Sequence, residues 1–493
     1  MKIGFDNEKY LKMQSEHIRD RINQFDNKLY LEFGGKLFDD FHASRVLPGF
    51  APDAKLRMLM QLSDQAEIVM AISASDIEKN KIRGDLGITY DSDVLRLIDE
   101  FRGRGLYVGS VVITQYSGQH SADAFKKRLQ KLGIPVYIHY TIPGYPHNVP
   151  LIVSDEGYGK NEYIETTRPL VVITAPGPGS GKMATCLSQL YHEHKRGVNA
   201  GYAKYETFPI WNLPLKHPVN LAYEAATADL NDVNMIDPFH LEAYGVTTVN
   251  YNRDVEIFPV LRAIFQQIFG ESPYKSPTDM GVNMAGYAIV DDDACRDAAR
   301  LEIVRRYFAA AVHLKRTGTG EEQVERLRSI MNRAGVTPDL SPARAVALEK
   351  EAATGAPAGA MVLPDGHVVT GKTGDLLGAA SALLMHALKA VTGVDETIPV
   401  IDDAAIEPIC RLKTEHLNSV NRRLHSDETL IALSITSATS PVAARVIDGL
   451  KQLQGCDAFF SVIISSTDEA LYRKLGINVC CEPKYERVSL YHR

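Results

Sequence analysis

The sequence predicts an α/β protein with an N-terminal Rossmann-like parallel sheet, a phosphate-loop-like strand–loop–helix, a helical hairpin insertion and a second, C-terminal α/β domain. Two observations support this class. Apolar runs of strand length alternate with helix-length segments, and the runs are largely apolar instead of alternating with polar residues, as in a parallel sheet covered on both faces. One run, residues 170–173, leads through a glycine loop into a helical pattern. We place the domains at 1–237, 238–335 and 336–493.

The N-terminal elements follow one another in a regular order. An amphipathic helix within residues 7–30 precedes a short strand at 29–33. Helices at 53–63, 91–102 and 121–132 then precede strands at 67–72, 107–114 and 135–140, and further strands are predicted at 151–153 and 201–208. Parallel sheets bind ligands at the carboxyl ends of their strands. The loop that follows residue 173 should therefore lie at a ligand-binding edge.

That loop, APGPGSGK at residues 175–182, has the composition of an anion-binding turn. Glycine allows positive φ and lets backbone N–H groups approach an anion closely. The following helix adds the partial positive charge of its N-terminus, and a lysine adds a full charge. We therefore expect Gly177, Gly179, Ser180, Gly181 and Lys182 to hold a phosphate group.

The loop departs from the nucleotide-binding pattern G-x-x-x-x-G-K-[ST] at two positions. Gly181 and Lys182 match its last Gly-Lys pair, but Pro176 replaces the first glycine and Met183 replaces the hydroxyl residue that holds magnesium. Thr185 lies about 200° around the helix from that position, so it cannot simply replace the ligand, although we place it among the residues around the phosphate. The alternatives are phosphate binding, a magnesium–nucleotide site and a structural turn.

The loop and its flanks resemble a known family. The segments SDEGYGKNEYIETTRP and KYETFPIWNLPLKHPVNLAYEAATADL surround the loop, and LPDGHVVTGKTGDLLGAASALL and LYRKLGINVCCEPKYE lie nearer the C-terminus. Over essentially the whole chain they resemble the bacterial uncharacterised protein family 0371, also called domain of unknown function 1846. The family carries no assigned activity. The resemblance implies a cytosolic bacterial protein with α/β regions at both ends and a helical middle.

Three residues outside the loop are further candidates. Lys160 lies in the polar segment 154–169, which is either a second ligand loop or a solvated turn. Glu206 ends the predicted strand at 201–208, where an acidic residue can bind a metal or accept a proton from an attacking hydroxyl. His217 precedes a helix and is either catalytic or structural. We take Lys182, Glu206 and His217 as the catalytic candidates and add Lys160 to the binding residues.

The rest of the chain predicts a hairpin of helices and a second α/β core. The helices span residues 291–317 and 321–334, and their apolar stripe suggests packing between subunits of a homo-oligomer. After a boundary at 335–342, a strand hairpin joins 361–363 to 367–370. An apolar helix at 376–391 follows the junction Gly371-Lys372-Thr373-Gly374. Either Thr373 or Asp375 caps that helix, or the junction binds an anion. Strands at 429–436 and 458–465 and helices at 441–453 and 467–475 complete this part.

Composition narrows the class of protein. The net charge of −7 argues against a nucleic-acid-binding surface spread over the whole chain. The charged N-terminus lacks the apolar core of a secretory signal, and no apolar run is long enough to span a bilayer. The six cysteines show neither CxxC pairs nor zinc-ligand spacing, so we expect no metal site and no disulfides. These features predict a cytoplasmic protein with no membrane or nucleic-acid partner.

The leading functional hypothesis is an enzyme that binds ATP, another nucleotide or another small phosphorylated molecule. It could be a phosphotransferase acting on a small metabolite, with any magnesium held by residues other than Met183. The alternative is a non-catalytic sensor or assembly protein that binds a phosphorylated ligand. A hydrolase that uses His217 with Glu224 or Asp229 is a third possibility, but the sequence shows no nucleophile motif for it.

Overall fold

The structure, a computed structural model, describes residues 2–35, 37–38, 40–84 and 86–486. By contacts the chain divides into two compact units, Lys2–Ala299 and Arg300–Arg493. The division falls inside one helix, Asp292–Thr317. The boundary after residue 335 was placed from the sequence, whereas this division follows contacts in the structure. That boundary therefore stays a prediction.

The first unit is built on a seven-stranded parallel sheet, as the sequence predicts. Its order is β11-β8-β1-β7-β2-β5-β6, and every pair is parallel. All residues of β2 and β7 are buried, because helices cover both faces of the sheet. The strands of this unit are β1 (Leu29–Phe33), β2 (Ala66–Ser73), β3 (Ile82–Arg83), β4 (Ile88–Thr89), β5 (Tyr107–Tyr116), β6 (Val136–Tyr140), β7 (Leu170–Thr174), β8 (Gly201–Tyr205), β9 (Asn234–Ile236), β10 (Val249–Tyr251) and β11 (Gly281–Val282).

Helices connect and cover these strands. They are α1 (Asn7–Gln24), α2 (Phe41–Val46), α3 (Ala54–Met60), α4 (Ala74–Glu78), α5 (Tyr90–Gly103), α6 (His120–Lys131), α7 (Val149–Ile152), α8 (Lys182–Lys195), α9 (Pro218–Ala226), α10 (Pro238–Tyr244), α11 (Asn252–Phe269) and α12 (Pro277–Met280). The next helix, α13 (Asp292–Thr317), contains the division between the two units. Two short antiparallel pairs, β3–β4 and β9–β10, lie outside the main sheet.

The strand order places the glycine loop where the chain reverses direction across the sheet. From β2 the chain moves outward to β5 and β6, whereas from β7 it moves the opposite way to β8. Right-handed crossovers in opposite directions put their helices on opposite faces, so a crevice opens at the carboxyl ends of the strands between them. Residues 175–181 lie at this switch point, between β7 and α8.

The second unit is also α/β. Its sheet has the order β13-β12-β14-β15, with antiparallel pairs except for the parallel pair β14–β15. The predicted hairpin is present, with β12 paired to β13, and the apolar helix that follows, α16, is almost wholly buried. The elements are α14 (Glu321–Ala334), α15 (Pro342–Thr354), β12 (Ala358–Val362), β13 (Val368–Lys372), α16 (Ala379–Val391), α17 (Asp403–Arg411), α18 (Ser426–Ser437), α19 (Pro441–Asp448), β14 (Asp457–Phe460), α20 (Ser466–Lys474) and β15 (Asn478–Cys481).

Two predicted strands are wrong. Residues 429–436 lie in helix α18, whose buried positions Thr429, Leu433 and Thr436 share one helical face. Tertiary packing of that face overrides the strand preference of its β-branched residues. Residues 151–153 end the short helix α7 instead of forming a strand. In addition, the strand predicted at 458–465 ends at Phe460.

Candidate functional site

A cavity of about 470 Å³ opens at the carboxyl ends of the main sheet in the first unit. Strands β1, β5 and β6 contribute Glu32, Thr114 and His139 to its wall, and the glycine loop with the first turn of α8 contributes residues 179–185. A segment that crosses above them, residues 140–161, supplies the remaining wall, including Tyr145, Tyr158 and Asn161. The loop predicted from the sequence therefore borders an open space of the size of a small metabolite.

The loop leaves the N-terminus of α8 uncapped by any side chain. Gly179 and Gly181 have φ angles of +77° and +80°, which glycine adopts without strain. Gly181 is the N-cap residue, and no side chain accepts a hydrogen bond there. The first N–H groups of an α-helix have no partner within the helix. In a 14-residue helix that faces a cavity, these donors and the helix dipole favour an anion.

Side chains of β5 hold the loop in this shape. The Thr114 hydroxyl donates to the carbonyl of Ser180 at 2.8 Å, and the Gln115 amide donates to the carbonyl of Gly179 at 3.3 Å. The Ser180 hydroxyl donates to the carbonyl of Gly177 at 2.8 Å. These bonds fix the carbonyl groups of the loop in protein contacts. Gly177 itself packs under Tyr90, since a Cβ there would lie 2.3 Å from the Tyr90 hydroxyl oxygen.

Lys182 and Thr185 have different surroundings. Lys182 is partly buried, lines the cavity and forms no ion pair with any described residue. Its ammonium group is thus available to a ligand. The Thr185 hydroxyl is buried and donates to the carbonyl of Gly181 at 3.0 Å, so its proton is committed to the helix backbone.

The other predicted site residues do not line the cavity. Lys160 is exposed, and its amine lies 5.0 Å from the ring centroid of Tyr140, which does line the cavity. Lys160 therefore lies at the rim of the cavity, next to the Tyr140 side chain that lines it.

Glu206 belongs to a cluster of charges beyond the end of β8. Its carboxylate lies 2.7 Å from the Lys204 amine, which also contacts Asp254 at 2.5 Å, and it accepts a hydrogen bond of 3.0 Å from the Tyr251 hydroxyl. Burial raises the pKa of Glu206 to about 7, although the Lys204 ammonium opposes this shift. With these partners inside the cluster, Glu206 is not part of the cavity wall.

His217 is held as a helix cap. Its side chain is buried, and its Nδ1 accepts a hydrogen bond from the backbone N–H of Val219 at 3.2 Å, at the start of α9. Its Nε2 therefore carries the proton and donates to Asp292 at 3.0 Å. This arrangement matches the structural alternative for His217.

The Gly371–Gly374 junction has a packing explanation. A Cβ on Gly371 would lie 2.2 Å from the backbone nitrogen of Leu383, so β13 and α16 can approach only through a glycine there. Lys372 is exposed. The predicted cap by Thr373 or Asp375 is wrong, because α16 begins at Ala379 with Gly378 as its N-cap.

The sequence did not point to five residues that line the cavity and that we call its inner wall: Glu32, His139, Tyr145, Tyr158 and Asn161. Glu32 is the next-to-last residue of β1, and its Cα is paired in register with Ile173 of β7 and Lys204 of β8. The rule that selected Glu206, an acidic residue at the end of a parallel strand, also applies to Glu32, since residues 29–33 were predicted as a strand. Tyr145 and Tyr158 had no local signal.

Two inner-wall residues tie the crossing segment to the sheet and to α8. The Asn161 amide donates to Ser188 of α8 at 3.0 Å, and its oxygen accepts the backbone N–H of Tyr140 at 2.8 Å. His139 is buried, and burial lowers its pKa to about 3, so the ring is neutral near pH 7. Its Nε2 donates to the carbonyl of Glu162 at 3.2 Å, which leaves Nδ1 as an acceptor.

The described part of the chain contains neither a membrane-spanning helix nor a cluster of metal-binding side chains. None of its helices is long and apolar enough to cross a membrane. Nor do its histidine, cysteine and acidic residues form a group of three or more that could hold a metal ion.

Comparison with known proteins gives matches along the whole chain. The model described as "Domain of unknown function DUF1846, N-terminal" matches residues 3–335, and its C-terminal counterpart matches residues 339–491. A "UPF0371 protein" of Streptococcus thermophilus strain LMD-9 is 55% identical over 492 residues, covering 100% of both chains. A second relative, from Corynebacterium diphtheriae, is 58% identical over 496 residues, covering 100% of this chain and 99% of its own. The chain therefore belongs to the UPF0371 family, which is built from the N- and C-terminal DUF1846 domains.

Proposed function

We propose that the cavity beside the glycine loop binds the phosphate group of a small phosphorylated molecule, and that the protein is an enzyme acting on that group. The observation that carries this proposal is that two groups suited to binding phosphate face the same cavity. The uncapped N-terminus of α8 and the unpaired ammonium group of Lys182 both face the cavity. Backbone N–H groups, a helix dipole and a lysine are the groups that proteins use to bind phosphate.

The position of the cavity supports the same proposal. It lies at the carboxyl ends of parallel strands, beside the point where the chain reverses across the sheet, which is where α/β sheets bind ligands. Its volume of about 470 Å³ lies in the range of small-molecule sites. All six cysteines are free thiols, which suits the cytoplasm, where we place the protein.

Phosphoryl transfer is the reaction class we propose for the site. The acceptor oxygen attacks phosphorus, the leaving oxygen keeps the electrons of the broken bond, and the Lys182 ammonium stabilises the charge on the phosphoryl oxygens. We assign the acceptor proton to Glu32, a carboxylate that lines the cavity. Glu206 is less suited to this role because Lys204 and Tyr251 already hold its carboxylate.

Ligand binding is tested first with inorganic phosphate, ATP with and without magnesium, and ribose 5-phosphate. A ligand at a hundredfold excess over its Kd stabilises the folded protein by about 2.7 kcal/mol, which thermal unfolding detects. In Lys182→Ala, loss of a charge-assisted hydrogen bond should weaken binding at least tenfold. The matched control is Lys372→Ala, which removes an exposed lysine from the other Gly-Lys junction. The proposal fails if none of the probes binds, or if both variants bind as the wild type does.

Turnover separates an enzyme from a sensor. Phosphorus NMR of the wild type with the bound probe and a range of small alcohols should show a new phosphate ester or free phosphate. Lys182→Ala should lower the rate together with binding. If the wild type binds the probe but never changes its phosphorus spectrum, the sensor alternative replaces the enzyme proposal.

A further inference from the structure

We propose that the ligand of this cavity is a polyhydroxylated phosphate ester, such as a sugar or polyol phosphate, whose hydroxyl groups are bound at the inner wall by Glu32 and Tyr158. The inference rests on the proposed function, since the phosphate of the same molecule would lie on the glycine loop and Lys182. It adds the part of the ligand that the loop cannot recognise.

Glu32 offers an acceptor to the cavity. The Tyr202 hydroxyl donates to its Oε2 at 2.7 Å, and no described residue donates to its Oε1. A carboxylate can accept about four hydrogen bonds and donates none when ionised. Its counterpart in a ligand must therefore carry hydrogen-bond donors, and the fully ionised phosphate group itself has none to offer.

Glu32 shares its surroundings with two protein cations, Lys204 and Lys182. Glu32 lies beside Lys204 in the β1–β8 register, and the carboxylate contributes to raising the pKa of that lysine well above its usual value, against the effect of burial. Lys204 also forms ion pairs with Glu206 and Asp254, so it balances only part of the Glu32 charge. A ligand hydroxyl can donate to Oε1 without placing a second ammonium group near Lys204 and Lys182.

Tyr158 gives the second, independent observation. It is fully buried and lines the cavity, and its hydroxyl forms no hydrogen bond of normal geometry with any described residue. Burial and the neighbouring Tyr145 raise its pKa well above the usual value, so the hydroxyl keeps its proton. The Tyr145 hydroxyl is the polar group beside it, and because their contact falls short of a hydrogen bond of normal geometry, Tyr158 retains part of the cost of about 1–3 kcal/mol that an unsatisfied buried hydroxyl carries. A ligand hydroxyl, directly or through a bound water, would remove that cost.

The two groups and the loop belong to one site. Burial raises the pKa of Tyr145 to about 12, and the charge of Glu32 contributes to this shift. Burial raises the pKa of the Cys186 thiol of α8 well above its usual value, the Glu32 charge adds to this shift and the Lys182 charge opposes it. Glu32 and Lys182 line the same cavity, as one ligand with a phosphate and hydroxyl groups requires.

The test compares four probes by calorimetric titration of the full chain: inorganic phosphate, ribose 5-phosphate, phenyl phosphate and 2-aminoethyl phosphate. The wild type should bind ribose 5-phosphate at least tenfold more tightly than phenyl phosphate, which has no hydroxyl groups. Glu32→Gln and Tyr158→Phe should each remove most of that preference. Inorganic phosphate should bind to Glu32→Gln as tightly as to the wild type or more tightly, because a negative charge near the anion is gone. Glu256→Gln and Tyr287→Phe, at exposed positions, are the matched controls.

The outcomes separate the two proposals. If no probe binds to the wild type, the proposed function fails, and this inference fails with it. If phosphate binds but ribose 5-phosphate has no advantage, or both variants weaken every probe equally, only this inference is overturned. Tightest binding of 2-aminoethyl phosphate would also overturn it, because a cation would then be the partner of Glu32. The preference of the wild type decides the matter even if a variant does not fold.

Discussion

Replacing Gly181 by alanine tests whether the loop needs its left-handed turn both for stability and for anion binding. Gly181 has φ of +80°, a conformation that costs a residue with a Cβ about 1–2 kcal/mol. The new Cβ would also lie 3.0 Å from Cβ and Oγ1 of Thr114. Displacing that hydroxyl would weaken its 2.8 Å bond to the Ser180 carbonyl, worth about 1 kcal/mol. We expect a total loss of about 2–3 kcal/mol in the free energy of unfolding.

The control is Gly197→Ala, at the other end of α8. Gly197 has φ of +78°, and a Cβ there would meet no atom within 4 Å. The backbone cost of about 1–2 kcal/mol should be the same, without the contact to Thr114. The difference between the two variants therefore isolates the packing of the loop against β5.

Urea unfolding followed by tryptophan fluorescence measures both variants. The chain has one tryptophan, Trp211, and it lies in the same compact unit as the loop. Calorimetric titration with inorganic phosphate supplies the binding measurement. Gly181→Ala should weaken phosphate binding, whereas Gly197→Ala should leave it unchanged. Equal destabilisation of the two variants together with normal phosphate binding by Gly181→Ala would refute the reasoning.

Three further predictions concern stability, measured by circular dichroism during urea unfolding. The hydrogen bond from His425 to Asp468 raises the pKa of His425 above 6.5. The hydrogen bond therefore stabilises the folded protein fully below pH 6.5, and this contribution is lost as the pH rises through the folded-state pKa of His425. His425→Gln should lower the free energy of unfolding more at pH 5.5 than at pH 9. An equal loss at the two pH values would contradict this. Leu388→Ala, in the core of the second unit, should cost about 2–5 kcal/mol, whereas Ile435→Ala, 55% exposed, should stay within about 0.5 kcal/mol. Glu67→Ala should cost about 1–3 kcal/mol, since it leaves two backbone N–H groups without their acceptor; an unchanged midpoint would refute it.

Local sequence patterns were sufficient to predict much of the secondary structure of the first unit. The run before the glycine loop, the loop and the helix after it appear as β7, residues 175–181 and α8. The strands at 29–33, 67–72, 107–114 and 135–140 appear within two residues of their predicted ends. These elements could be predicted because strand length, continuous burial and glycine conformational freedom act over a few neighbouring residues.

The errors arose where packing between distant elements outweighed local preference. Residues 429–436 read as a strand because they are rich in β-branched and apolar side chains. In the structure one face of α18 is buried, while Ile431 and Ile435 on the other face remain 56% and 55% exposed. A carboxylate of Glu428 also accepts the backbone N–H of His425 at 2.8 Å and helps to cap the helix.

The sequence by itself determined the strand, the glycine turn and the helix start with Lys182 as its first residue, because these features lie within a few residues of one another. Only the tertiary structure decided which other groups share that space. Glu206 directly follows β8 and Glu32 is the next-to-last residue of β1, but Lys204 holds the first, whereas the second lines the cavity with Tyr158, more than a hundred residues away. Strand order and register create such neighbours, and no local pattern encodes them, because side chains so far apart in the chain meet only when the sheet assembles.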